Sequence, residues 1–519
     1  MTDGGPRIIS NALGGPALTR AAIAGTAPGG WYNTPHGIEA WRAHVARIRD
    51  EFAGRDWLPT LAPALGAADA AADRLASVAG GRGIVVTTGQ QAGLFGGPIY
   101  TFSKAIGALA LADALQDATG VPVAPVFWAA TDDSDFAEAS VTYVAVPGGL
   151  ETLRLPAPAL VERSMRDTPL ADVRGMLHAL ERGAGSATFA DALDAARATF
   201  APGATIGGAY VALLRGLLEP LGIAVLDAGH PALRRAAYPT LRAALERAAD
   251  VEGALVERDD AIVASGYGPQ VSTVRGLSLV FSSDGGARRR IAIADAPGVL
   301  AAGERDDLGA NVLLRPIVER AVLPTAGYCA GPGELAYFAQ VSAVARAIGA
   351  ATPVVVPRWS GTIVEPHIDR ILERYAIGID DLADAHAAET RLARERVPTS
   401  VQDALAEFRL QMLEATMDLR RALDAPDAGV SGKVADGYTY AMMRRLERLD
   451  RRIVAAVKRR EDEMRHDIAT ARAALYPHGE PQERMLNFLP LLARHGPALV
   501  DRMRAAALAH ARSLVTPSV

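Results

Sequence analysis

The sequence predicts an α/β chain: a doubly wound parallel sheet followed, towards the C-terminus, by two long antiparallel helices. Three observations predict it. The first is a βαβ unit. Gly83-Ile84-Val85-Val86-Thr87-Thr88 is a short β-branched run that passes through a glycine-rich turn into the helical pattern Tyr100, Lys104, Leu109, Leu111. After Gly120-Val121-Pro122 the apolar run from Val123 to Ala130 reads as a buried strand, with a right-handed crossover expected between the two. The second is the recurrence of such pieces, Gly222 to Asp227 and Thr352 to Pro357, the latter after a helix from Glu334 to Ile348. The third is periodicity in the C-terminal third. Leu405, Phe408, Met412, Ala415, Leu419 and Ala422 recur at spacings of three and four. Beyond the loop Pro426-Asp427-Ala428-Gly429, so do Met442, Leu446, Leu449, Ile453 and Ala456, which fits a coiled-coil hairpin.

In chain order, residues 1–380 are expected to form the sheet-bearing core, with insertions near 140–200 and 230–310. The second insertion carries short strands around Gln270 to Val274 and Leu277 to Phe281. Residues 381–475 form the helical hairpin and 476–519 a helical segment packing back on the core. The charge run from Arg451 to Glu463 suits a solvated face.

Composition narrows the function classes. With 54 Lys+Arg against 59 Asp+Glu, the net charge of −5 gives no bulk attraction for nucleic acid or membrane surface. One cysteine, Cys329, excludes a disulfide framework and any zinc site built on two thiolates. No run of about 18 apolar residues suggests a membrane span. Met1 to Pro16 does not read as a signal peptide, so a cytoplasmic setting is expected. Lysine is scarce: only Lys104, Lys433 and Lys458 occur, which singles out Lys104 wherever an ammonium is needed.

Three segments could carry chemistry. Thr88 to Tyr100 is a glycine-rich strand-to-helix loop containing Gln90, Gln91, Gly96 and Gly97, which could expose amides to a phosphate or simply satisfy its own backbone. Lys104, one helical turn after Tyr100, could reach a phosphate or carboxylate held there. Asp132, Asp133 and Asp135 follow a buried strand; three acids within four residues call for a counterion, whether Mg²⁺, a substrate ammonium or an arginine, and the alternative is helix N-capping by any one of Asp132, Ser134 or Asp135. Asn311 and Arg315 precede a further strand that opens through Gly331-Pro332-Gly333 into a helix presenting Glu334, Tyr337 and Gln340. No histidine lies near Cys329, and none of the histidines has zinc-site spacing.

Together with Pro125 to Phe136, Pro357-Arg358-Trp359-Ser360 and Pro481 to Asn487, these motifs closely resemble the bacillithiol biosynthesis cysteine-adding enzymes over nearly the whole chain. The resemblance implies a Rossmann-like parallel-sheet core with connecting-peptide insertions and a C-terminal antiparallel α-helical coiled coil that pairs two subunits. It implies a ligase joining the carboxyl of L-cysteine to the amine of glucosaminyl malate, with ATP and Mg²⁺ as expected cofactors and no nucleic-acid or membrane partner. Gln90, Gln91, Gly96, Gly97, Tyr100, Asn311, Arg315, Glu334, Tyr337, Gln340 and Arg358 would then bind substrate or nucleotide. Lys104, Asp132, Asp133 and Asp135 would be catalytic, the acids holding an amine or the metal. The family typically reads Glu-Asp-His-Asp-Phe where this chain has Asp132-Asp133-Ser134-Asp135-Phe136. If that histidine is a general base, Ser134 cannot replace it, and either another group does the work or turnover has been lost. A ligase for another amino-sugar acceptor and a non-catalytic dimeric nucleotide- or thiol-binding homologue are the competing readings.

Overall fold

The β-branched run after Gly83 forms β1 (Ile84–Gln91), with Ile84, Val85 and Val86 fully buried, in a computed structural model that describes residues 5–158, 162–284, 287–384 and 386–516. Such a strand has no polar face to show, because helices cover both sides of a parallel sheet. A tight turn leads into α1 (Ile99–Thr119), and β2 (Val123–Ala130) returns parallel to β1, in register from Ile84↔Val123 to Gln91↔Ala130. Pro125 sits one residue before pairing on the other side of β2 begins at Val126↔Ala224, so its missing N–H removes no rung there.

The chain then supplies β3 (Ala224–Asp227), α2 (Pro231–Glu246), β4 (Leu277–Asp284), β5 (Ala287–Ala292), β6 (Leu308–Ala310), α3 (Arg315–Val322), β7 (Thr325–Ala330), α4 (Pro332–Ile348) and β8 (Val355–Pro357). The five-stranded parallel sheet runs β8-β7-β1-β2-β3, while β5-β4-β6 form a separate antiparallel sheet within the second insertion. The sheet grows outward from β1 to β3 and then resumes on the opposite side at β7. That reversal beside β1 is where open α/β sheets hold ligands, beyond the carboxyl ends of the strands.

One expected strand is absent. Gln270 to Val274 is irregular, because side chains supply its hydrogen bonds: Gln340 accepts from Val271 N at 3.1 Å and donates to Val271 O at 2.7 Å, and Thr273 donates to Asp259 at 2.6 Å.

The chain divides into two compact units. One comprises Met1–Val144, Glu151–Val364 and Gln482–Val519; the other comprises Ala145–Leu150 and Glu365–Pro481. The second thus takes in residues ahead of the boundary expected at 381, and the closing segment groups with the sheet. In the first unit α1 is buried on nearly every side, because the closing helix packs along it and Phe102 stacks on Phe488 at 5.3 Å. In the second, α5 (Thr399–Leu423) and α6 (Lys433–Arg460) pack as the hairpin, burying Met412, Ala435 and Leu446. Phe408, Leu419 and Leu449 of the same periodic set stay exposed. Arg451, Arg452, Arg459 and Arg460 are solvated as expected, and Glu461 and Glu463 pair with Arg396 and Arg374 at 2.6 and 2.7 Å. Among the described residues, no helix is long and apolar enough to cross a membrane.

An acid is enclosed in the first unit. Glu319 on α3 accepts a hydrogen bond from the Thr87 hydroxyl of β1, and burial pushes its carboxyl up to about 8. The folded chain therefore holds a proton that the unfolded chain releases near 4.5. This contribution to stability is complete below pH 4.5 and is lost as pH rises towards 8, at about 1.4 kcal/mol per pH unit. Urea unfolding across this interval is expected to show Glu319→Gln with a shallower fall than wild type; parallel curves would disprove the proton's retention.

Candidate active site

Four segments end at the carboxyl edge around the reversal: Gln90 and Gln91 on β1, Asp132 and Asp133 after β2, Gly331 after β7 and Arg358 after β8. Lys104, on the second turn of α1, is buried against this edge. Its Nζ donates to Gly89 O at 2.8 Å, to Gln90 Oε1 at 3.0 Å and pairs with Glu334 Oε2 at 2.7 Å. Three donors meet three acceptors of the protein, so the ammonium reaches a carboxylate, as the sequence suggested, but the carboxylate is the protein's own. Burial lowers its pKa and the Glu334 charge opposes that shift. Lys104 thereby holds Gln90 and Glu334 in place. Glu334 is fixed from two more sides, by Tyr328 OH and Gly331 N, each at 2.6 Å.

Gln90 carries the network outward. Its Nε2 donates to Tyr100 OH at 3.1 Å and to Glu138 Oε1 at 3.2 Å, and Tyr100 OH donates to the same Glu138 oxygen at 3.2 Å. Glu138 stands at the exposed end of this chain. Its pKa is raised by loss of solvation and by Asp135 and Asp133, against the Tyr100 hydrogen bond that favours the anion.

The neighbouring acids have guanidinium partners. Asp133 Oδ2 accepts from Arg315 and from Gln91 Nε2, both at 3.3 Å, and Arg288 lies 3.8 Å from its other oxygen and 3.6 Å from Asp132. The two arginines hold the Asp133 carboxyl below the usual carboxylate range against its burial. Arginine, one of the three counterions considered, faces both Asp132 and Asp133. Asp135 is a cap: it accepts from Glu138 N at 3.1 Å and begins the short helix Phe136–Ala139.

Several expected ligand contacts are structural. Gly96 and Gly97 do not form an open cradle, because the amides of Gly96, Gly97 and Ile99 already bond to Gly93 O, Leu94 O and Leu486 O at 3.0, 3.1 and 2.8 Å. Asn487 grips the turn, its Nδ2 donating to Phe95 O at 3.0 Å and Gly97 O at 3.3 Å. Gly96 has φ +85°, and a Cβ there would fall 2.6 Å from the Phe488 ring. Arg358 makes a buried two-pronged pair with Glu483 at 2.6 and 3.0 Å. Gln340 holds the 270s loop, and Asn311 Oδ1 accepts from Leu313 N and Leu314 N at 3.1 and 3.0 Å to start α3. Tyr337 lies nearly buried against Phe338, its ring 5.7 Å away.

The residues present do not fit a metal cradle: among the described residues no three His, Cys, Asp or Glu side chains gather, and Asp132 and Asp133 face guanidiniums. In the glycine-rich turn the amides of Gly96, Gly97 and Ile99 are already taken by carbonyls of the protein. Two side chains at this candidate site that the sequence did not single out are Glu138, just beyond the acidic motif, and Arg288, one of many arginines.

Comparison with known proteins decides the family. The family model for the N-terminal Rossmann-like domain of bacillithiol biosynthesis BshC matches residues 31–359, and that for its C-terminal coiled-coil domain matches residues 361–513. The chain belongs to the BshC family. Its relatives include proteins named "Putative cysteine ligase BshC" from Solibacter usitatus, 32% identical over 81% of this chain and 82% of the relative, and Koribacter versatilis, 34% over 80% and 81%. A third, from Salinibacter ruber, is 30% identical over 93% of this chain and 91% of its own length. Family membership fits a Rossmann-like parallel sheet followed by a helical hairpin.

Proposed function

We propose that this BshC-family chain is a cytoplasmic ligase that forms the amide between the carboxyl of L-cysteine and the amine of glucosaminyl malate, completing bacillithiol. The names of its relatives support the reaction class. The observation that carries it is Glu138, a carboxylate with a raised pKa at the open end of the Lys104–Gln90–Tyr100 network, beside the reversal point of the sheet.

An amine must be neutral to attack an activated carboxyl. Glu138 takes the proton that the acceptor nitrogen gives up as the carbon–nitrogen bond forms, while Tyr100 OH steadies the carboxylate before that transfer. This places the base four residues after Ser134, so the missing histidine does not preclude turnover. Lys104 and Glu334 fix the position of Gln90 and thereby of Glu138. Omission of ATP and of Mg²⁺ in the assay below reads whether either activates the cysteine carboxyl.

The test is incubation with L-cysteine, glucosaminyl malate, ATP and Mg²⁺, omitting each in turn, with thiol products and nucleotide followed by mass spectrometry. Bacillithiol formed with nucleotide consumed is the expected result; its absence beside an active relative would refute the reading.

The hairpin is the proposed dimer contact. Val434 and Tyr438, one turn apart on α6, are each more than three-fifths exposed, as is Met417 on α5. Val434→Asp with Tyr438→Asp is expected to halve the mass seen by light scattering without changing the circular dichroism; an unchanged dimer mass would move the interface elsewhere.

A further inference from the structure

We propose that a second cavity, between the ends of β2 and β3 and the antiparallel sheet, is a carboxylate-binding subsite for a small hydroxy-acid anion. On the reading above, the occupant is the malate end of the acceptor. The polar lining of the cavity includes Trp128, Asp132, Arg234, Arg288 and Arg315.

Two observations point to an anion. The first is charge. Three guanidiniums face it, while the acids that offset them are Asp132 and, behind, Asp133, so three positive charges against two negative leave one to be matched. The second is unmet hydrogen bonding. Trp128 Nε1, Arg315 Nε and Asp132 Oδ1 are buried with no partner among the described residues, and Trp128 as a whole is only 4% exposed. Buried polar atoms without partners are uncommon enough in folded proteins to require an explanation.

The types of atom define the occupant. Indole and guanidinium nitrogens only donate, so both demand an acceptor, and one carboxylate has lone pairs enough for both. Asp132 Oδ1 demands a donor, which a hydroxyl next to the carboxylate supplies. A neutral zwitterion such as an amino acid would bring an ammonium against the surplus guanidinium charge, whereas a hydroxy-acid anion would not. The site is rigid before it is filled: Arg288 donates to Ala310 O at 2.7 Å and lies 4.2 Å over the Phe281 ring. Arg234 donates to Asp306 O over a long 3.3 Å and can turn to a ligand.

Titration calorimetry of the full chain with L-malate, and with L-cysteine and inorganic phosphate in parallel, tests this. Malate is expected to bind wild type, to bind Arg234→Gln about tenfold more weakly and to bind Trp128→Phe more weakly as well, with melting temperatures confirming that both variants fold. No malate binding, equal binding by Arg234→Gln, or cysteine or phosphate taking its place with the same dependence on Arg234 would each overturn the assignment. The outcomes separate this proposal from the ligase reading. Turnover of glucosaminyl malate with an unchanged KM in Arg234→Gln removes the subsite and keeps the ligase; Arg234-dependent malate binding without turnover does the reverse.

Discussion

Glu138→Gln is expected to lower kcat by about two to four orders of magnitude while KM for cysteine stays near the wild-type value. The amide is isosteric with the acid and can still accept from Tyr100, so the loss reports proton transfer and not collapse of the network. The pH profile gives an independent reading. Only the carboxylate can accept a proton, so wild-type kcat should rise with pH through an ionisation above the ordinary value of 4.5, and Glu138→Gln should lose that limb. Tyr100→Phe removes the hydrogen bond that favours the anion and should shift the limb to higher pH. A limb that persists in Glu138→Gln would place the base on another group.

Glu483→Ala is expected to destabilise the first unit by about 3–5 kcal/mol, because it strands the Arg358 guanidinium in the core. Arg358 also donates to Trp359 O at 2.9 Å, and Ser360 donates to Glu483 at 2.9 Å, so the pair ties the end of β8 to the closing segment. Removing both charges, as Arg358→Met with Glu483→Leu, should cost clearly less than the two single losses added together. Urea unfolding of the four proteins measures this; a loss below about 1 kcal/mol in Glu483→Ala would mean that the pair behaves as a hydrated surface contact.

Much of the architecture could be read from the sequence, since buried parallel strands are uninterrupted apolar runs and α5 and α6 repeat at helical spacing. The β-branched residues of the 270s loop resemble a strand, while the side chains that replace a partner strand, Asp259 and Gln340, lie 14 and 69 residues from the positions they hold. The candidate site's place at the strand ends follows from the fold class, because open α/β sheets hold ligands there. Its assignments were less legible. Scarcity singles out Lys104 in the sequence, whereas its pairing with Glu334 is visible only in the fold. Gly96 and Gly97 look the same in sequence whether a glycine turn opens to a phosphate or closes on Asn487, some 390 residues away. Arg288 carried no distinguishing mark in a chain whose basic residues are nearly all arginine.

The grip of Asn487 on the glycine-rich turn has a consequence for biosynthesis. The sheet-bearing unit is discontinuous, with residues 365–481 of the helical unit made before its last segment. On the ribosome, β1 and α1 are complete long before Asn487 and Phe488 exist to hold the turn between them, so its carbonyls and the apolar flank of α1 wait for the final part of the chain. The helical unit can fold as it emerges, whereas this edge of the sheet can be finished only after residues 482–488 have been made. Chains truncated even shortly before residue 482 should therefore emerge with the sheet assembled around an open flank, a form for chaperones and proteases to find.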